Sequence, residues 1–179
     1  MPVLPLPTPR TELLPLLKTL FDITLLRKGP QHIPDSLLVF GMAVGLWLFA
    51  LLAGIVLVSS IDEADFFPEI LRVVALMAVY SGIVFAAGYG PRIVRTLTAI
   101  IGCGALLSVL YAILFSSIGP VIGQDFLNLM ILSFVLWSLS IKGHIIANAI
   151  STKWYVGALI AAAVFVGQRF VITILSSTA

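Results

Sequence analysis

Charge is what this chain has least of. Asp, Glu, Lys and Arg make up only 10% of its 179 residues, against 60% hydrophobic, and its mean hydropathy is +1.16. A soluble domain carries roughly 25% charged residues, so a water-covered surface of this size is excluded. The composition belongs to an integral membrane protein of one domain. Cysteine is nearly absent as well. Cys103 stands alone between Gly102 and Gly104 in an apolar run, which rules out an intrachain disulfide and leaves the redox compartment unread. It is expected to pack as a small hydrophobe.

Catalytic equipment is also missing. There is no His-Glu-x-x-His, no Gly-x-Ser-x-Gly, no P-loop and no Gly-x-Gly-x-x-Gly, and no carboxylate pair lies inside an apolar run. Those gaps argue against an enzyme, and no cofactor is predicted. His32 sits in a proline-flanked loop and His144 near the end of an apolar run, neither with a second His or Cys at ligand spacing. No metal site is predicted, and His144 reads as an interfacial residue. No signal-peptide core is found in MPVLPLPTPRTELLPLLKTLF, so the first span is expected to serve as the insertion signal.

Long apolar runs are what the chain has. About 20 apolar residues are needed to cross a bilayer as a helix, and five runs qualify: 37–58, 70–87, 96–115, 126–147 and 154–174. Pro34, Asp35 and Ser36 stand where a helix start favours proline, a capping oxygen and negative charge. Gly88-Tyr89-Gly90-Pro91 and Ser116 to Pro120 are breaks between spans. In the fourth run Lys142 is expected to snorkel toward the nearer surface. The predicted fold is all-α: a polytopic bundle of five transmembrane helices preceded by an amphipathic interfacial helix. Residues 1–35 form a cytoplasmic amino-terminal segment, with that helix at about 11–28, and residues 36–179 form the membrane domain.

The few charges explain the orientation. Arg10, Lys18, Arg27 and Lys28 precede the first span, Arg92 and Arg95 lie between the second and third, and Lys142 and Lys153 fall between the fourth and fifth. Eight of the ten cations thus share one side, with Arg27, Lys28, Arg92, Arg95, Lys142 and Lys153 as the anchors. The 59–69 loop opposite holds Asp62, Glu63, Asp65 and Glu69. By the positive-inside bias the amino terminus is cytoplasmic and the carboxyl terminus is on the far side. Nucleic-acid binding finds no support, because topology accounts for the cations before the first span.

Residues 11–28 place Thr11, Pro15, Lys18 and Asp22 on one helical face and Leu13, Leu14, Leu16, Leu17, Leu20, Phe21 and Ile23 on the other. This stripe suits a helix lying in the membrane interface. It suits equally a helix packed on its own bundle, and both can hold together.

Arg72 and Arg169 are the two cations outside the orientation pattern. Arg169, inside the fifth run, needs a partner or water. Asp125 and Asn128 at the head of span four, and Glu69 or Asp65 at the head of span two, should share its depth, with Arg72 near Glu69. Such a cluster could recognise a lipid head group or a partner's carboxylate. The plainer reading, which carries more weight, is that Arg169 snorkels or ties two helices together.

Gly41-xxx-Gly45, Gly82-xxx-Ala86, Gly157-xxx-Ala161 and Ala163-xxx-Gly167 are small-residue pairs that let helices approach closely. They are read as internal seams more readily than as dimer contacts. Ser108, Tyr111 and Ser133 are the few polar groups near midplane.

Five closely spaced helices, a cytoplasmic amino-terminal segment, a short tail and the Gly88-Tyr89-Gly90 turn resemble the Yip-type family of small membrane proteins over roughly residues 20–175. The turn is similar to a Tyr-Gly-containing motif of that family. The resemblance implies a non-enzymatic membrane organiser and assigns no functional residue. The expected function is an accessory or scaffold subunit in a bacterial inner membrane. Its partners would be the bilayer and either another membrane protein or a second copy. The rival is a small transporter or channel subunit working as an oligomer, disfavoured by the scarcity of midplane polar groups and the lack of an internal repeat.

Overall fold

The computed structural model describes residues 9–58 and 66–178, with side chains described for 14–58, 69–170 and 173. Asp62, Glu63 and Asp65 of the acidic loop lie outside the described residues. Among those that are described, the elements are six α-helices and two short 3₁₀ turns. The helices are α1 (Pro9–Thr24), α2 (Leu37–Val58), α3 (Phe66–Ala86), α4 (Ile93–Ile118), α5 (Gln124–Ala149) and α6 (Trp154–Thr178). An all-helical chain is what a hydrocarbon solvent requires, because a helix satisfies its backbone groups within itself.

Among the described residues, four helical segments are long and apolar enough to cross a membrane: Leu37–Val58, Glu69–Ala86, Gly90–Ile118 and Gln124–Ala149. That is one fewer than the five predicted. Within the described residues of α6 the apolar stretch is Trp154–Phe170, shorter than the other four. Elsewhere the predicted limits hold within a turn, and α2 matches its prediction at both ends.

Helix α4 is the hub. It packs against α1, α2, α3 and α5, while α6 packs chiefly on α5. Its buried Thr96 and Thr98 donate to the Arg92 and Val94 carbonyls one turn back, each at 2.7 Å. No polar group on them is therefore left bare in the core. Small residues bury along the α2–α4 seam, with Ala43 and Ala50 on α2 and Ala105 and Ala112 on α4. Large apolar side chains such as Phe49, Leu52, Phe85, Leu132 and Val166 point outward, as lipid-facing residues do.

The helix ends follow one rule with three different residues. After α3, Gly88 takes φ +85°, Tyr89 N–H donates to Val84 O at 3.0 Å and Gly88 N–H to Phe85 O at 2.9 Å. That pair of bonds is a Schellman cap, for which glycine is the favoured residue. After α1 the same bonds form from Arg27 to Asp22 and from Leu26 to Ile23, but the left-handed position is Leu26, φ 59°. After α5 it is Ser151, φ 52°. A Cβ in that conformation costs about 1–2 kcal/mol. Leu26→Gly is therefore expected to raise stability by up to about 1 kcal/mol, part of the relief being lost to glycine's freedom when unfolded. A higher melting temperature in detergent checks it; an unchanged or lower one contradicts it.

Helix α1 divides its apolar stripe. Leu16, Leu20 and Ile23 are buried in the bundle core, whereas Leu14 and Phe21 remain exposed. The packed reading of this helix is thus realised on its buried face. The seat is specific. Leu20 occupies the space left by Gly102, where a Cβ would lie 2.6 Å from a Leu20 methyl carbon.

Every carbonyl of the last turn of α1 has a donor. Phe21, Asp22 and Ile23 take the backbone N–H groups of Leu25, Arg27 and Leu26, and Thr24 takes Trp137 Nε1–H of α5 at 3.1 Å. The Cys103 thiol lies 3.5 Å from Leu20 O. His144 Nε2 lies 3.0 Å from Lys28 O and 3.3 Å from Asn148 Nδ2. His144 is thus a tether between α5 and the α1–α2 connection. Asp22 pairs with Lys28 at 2.7 Å, and the ammonium beside it holds the carboxyl below its ordinary value.

Candidate functional site: a cation-lined cavity

Helices α2–α6 part toward one end of the bundle and leave a cavity of about 580 Å³, a volume typical of small-molecule sites. Its walls are mostly apolar, with Trp47, Leu51 and Ile55 from α2, Leu76 from α3 and Phe134 from α5. Set into that surface are Arg72, Lys142 and Arg169, with Gln168, Ser108, Ser138 and Tyr111. No carboxylate lines it among the described residues. Tyr111, Phe134 and Trp137 form an aromatic ladder beside it, with ring centroids 5.4 Å and then 6.2 Å apart.

The helical periods explain this gathering. Ser138 and Lys142 are one turn apart and share a face of α5, as do Ser108 and Tyr111 on α4. Lys142 lies seven residues before Ala149, the last residue of α5, or about 10 Å along the axis. It does not sit in the connection to α6 as an anchor would; it faces the cavity. Among the described residues it has no carboxylate partner. Arg169 stacks over Phe165 of its own helix, 5.4 Å from the ring centroid, and it too has no carboxylate partner among them. Arg72 pairs with Glu69, three residues before it on α3.

Of the predicted polar cluster, then, the structure brings Arg72, Glu69 and Arg169 to this end of the bundle. Asp125 and Asn128 stand apart at the exposed start of α5, where Asn128 Oδ1 accepts from Gln124 Nε2 at 3.2 Å. Lys142, predicted as an orientation anchor, and Gln168 and Ser138 were not part of the predicted cluster. Their signal was present as a lysine inside an apolar run, four residues after a serine. Of the midplane polar groups, Ser108 and Tyr111 reach the cavity, while the Ser133 hydroxyl donates to Leu129 O at 2.8 Å.

The remaining anchors do structural work at the opposite end. Arg92 donates to Ala149 O at 2.9 Å and Ser151 Oγ at 2.8 Å, and stacks on Tyr89 at 4.5 Å, so it caps α5. Arg95 bonds Asp35 at 2.9 Å, joining the start of α4 to that of α2. Lys153 lies 5.9 Å from the Tyr155 ring, and Arg27 is exposed. Neither His32 nor His144 gathers ligating neighbours; among the described residues no three His, Cys, Asp or Glu come together. Comparison with protein-family models, with curated proteins and with solved structures finds no match to this chain.

Proposed function

We propose that this chain is a non-enzymatic integral membrane protein that organises lipid in the bilayer, as an accessory or scaffold subunit, by holding an amphiphile in the cavity between its helices. The observation that carries this reading is the cavity's lining, an apolar wall interrupted by cations and hydrogen-bonding side chains. Lipid-facing outer surfaces on α2, α3, α5 and α6 fit the same reading. In this proposal α6 is a fifth span, supported by its 25 residues, which rise about 37 Å. The cation distribution supports a cytoplasmic amino terminus and a far-side carboxyl terminus, in a bacterial inner membrane, and the architecture supports the Yip-type resemblance.

The test is purification from the native membrane in a mild detergent, followed by mass spectrometry of what accompanies the protein. About one lipid per chain that survives washing, with a lower melting temperature on delipidation, is expected. A protein retained with no lipid would instead favour a protein scaffold. A second reading, a transporter or channel subunit, draws on Ser108, Tyr111 and the three cations in one cavity. Flux through liposomes holding only this protein would favour it.

A further inference from the structure

Among the described residues the charge lining the cavity is unbalanced. Arg72, Lys142 and Arg169 contribute three cations, and among the described residues the one neighbouring carboxylate is Glu69, already committed to Arg72. Lys142 and Arg169 have no carboxylate partner among the described residues. Cations held within a span are costly unless paired or wetted, and a charge out of bulk water costs several kcal/mol without a counter-ion. Lys142 cannot escape by reaching along its own helix, for the end of α5 is farther than a lysine stem extends. It is only partly exposed, and it opens onto the cavity.

We infer that the cavity takes the phosphate-bearing head of an anionic membrane lipid, its charge met by Lys142 and Arg169 with Arg72 at the rim, and its chains laid along the apolar wall. This rests on the lipid-holding reading above and names the ligand class. The argument is one of complementarity. A cationic ligand would meet three like charges, and a neutral one would leave Lys142 and Arg169 uncompensated. Phosphate oxygens match both kinds of donor, since a guanidinium grips two oxygens with its planar fork and an ammonium acts as a point charge. Gln168, Ser138 and Tyr111 add uncharged donors for head-group oxygens. The apolar wall distinguishes a lipid from a free anion, which would gain nothing from Trp47, Leu51 or Ile55.

The same inference accounts for two oddities of the charge pattern. Arg72 and Arg169 are the cations that break the positive-inside distribution, and both line this cavity. Lys142 is an anchor by position but faces inward. All three are placed by the site rather than by topology.

The experiment is native mass spectrometry of the full chain, delipidated and titrated with phosphatidylglycerol, with phosphatidylcholine, or with inorganic phosphate alone. Wild type should bind one phosphatidylglycerol at least tenfold more tightly than phosphatidylcholine. Lys142→Met and Arg169→Gln should each weaken phosphatidylglycerol about tenfold, the loss of one charge-assisted hydrogen bond, and weaken phosphatidylcholine less, because its choline cation already offsets its phosphate. Lys142→Arg should restore most of the affinity. Arg169 is exposed, so its variant folds even if the Lys142 variant does not. Equal binding of both lipids would overturn the anionic specificity while leaving the lipid-holding reading standing. Absence of any bound lipid would overturn both. Displacement of phosphatidylglycerol by millimolar inorganic phosphate would move the site to a soluble anion and overturn the lipid assignment. A co-purified protein whose removal is required before lipid binds would do the same.

Discussion

Replacing Gly157 by leucine is expected to part α5 from α6 and to lower the melting temperature more than any other single change on this seam. A Cβ at Gly157 would lie 2.2 Å from Gly143 O, 2.7 Å from Ala147 Cβ and 2.7 Å from Ala147 N. Its counterpart is as tight, for a Cβ at Gly143 would meet Ala158 Cα at 2.7 Å and Ala158 N at 2.9 Å. These neighbours are backbone atoms and one alanine Cβ, which has no rotamer to change, so no side-chain rotation relieves them. Two effects oppose each other even for Gly157→Ala. Alanine is the better helix former by about 1 kcal/mol, and overpacking costs about 1–3 kcal/mol. With contacts this short the clash wins, and leucine makes it larger. Gly45→Ala supplies the opposite sign, since nothing lies within 4 Å of the added carbon, and only the propensity gain remains. Thermal unfolding of both variants in detergent decides the matter. Equal melting temperatures for Gly157→Leu and wild type would refute the close seam.

That contrast shows what small-residue spacing reveals and what it leaves open. All four pairs have the same i, i+4 pattern, and the sequence analysis read them alike as internal seams. The structure uses one of them so: Gly157 and Ala161 are buried against α5, where Gly143 and Ala147 answer them. Gly41 and Gly45 face outward from α2, and Ala163 and Gly167 face outward from α6. Gly82 likewise has no atom within 4 Å of an added Cβ. Spacing fixes which residues share a helical face; it says nothing of which face meets a neighbour. Gly143-xxx-Ala147 has the same spacing and was not among the four pairs.

Placement of the helices was readable for a simpler reason. A bilayer demands long, internally bonded apolar helices, so hydropathy and breaker residues alone located α2 to α5. The cavity was half readable. Arg72 and Arg169 stood out as cations on the wrong side, but their supposed partners Asp125 and Asn128 were chosen by depth. Depth along a span does not determine direction around it. Lys142 was assigned to topology because the rule counts lysines near span ends, and one that turns inward counts the same as one that turns out.

Helix α1 provides the second large effect, and Cys103 is its natural reporter. The thiol is 1% exposed, lies beneath Leu20, and belongs to the chain's single cysteine. In the native protein it is expected to react slowly with a small maleimide, because reaction requires α1 to lift from α4. Leu20→Ala removes a side chain that is 0% exposed. Between helices in lipid the loss is mainly one of packing, so the lower end of the usual range applies, about 2 kcal/mol. If opening is local and faster than labelling, that cost raises the rate about 30-fold, since 1.4 kcal/mol is tenfold. Trp137→Phe leaves Thr24 O without its side-chain donor, at about 1–3 kcal/mol, and should raise the rate about fivefold or more. The melting temperature separates two routes to the same label. Faster labelling with a nearly unchanged melt means that α1 is a separable unit, undocking while α2 to α6 stay packed. Faster labelling with a matching fall in melting temperature means that α1 is part of the cooperative core. A Cys103 as reactive in wild type as in Leu20→Ala would show that α1 does not cover it at all.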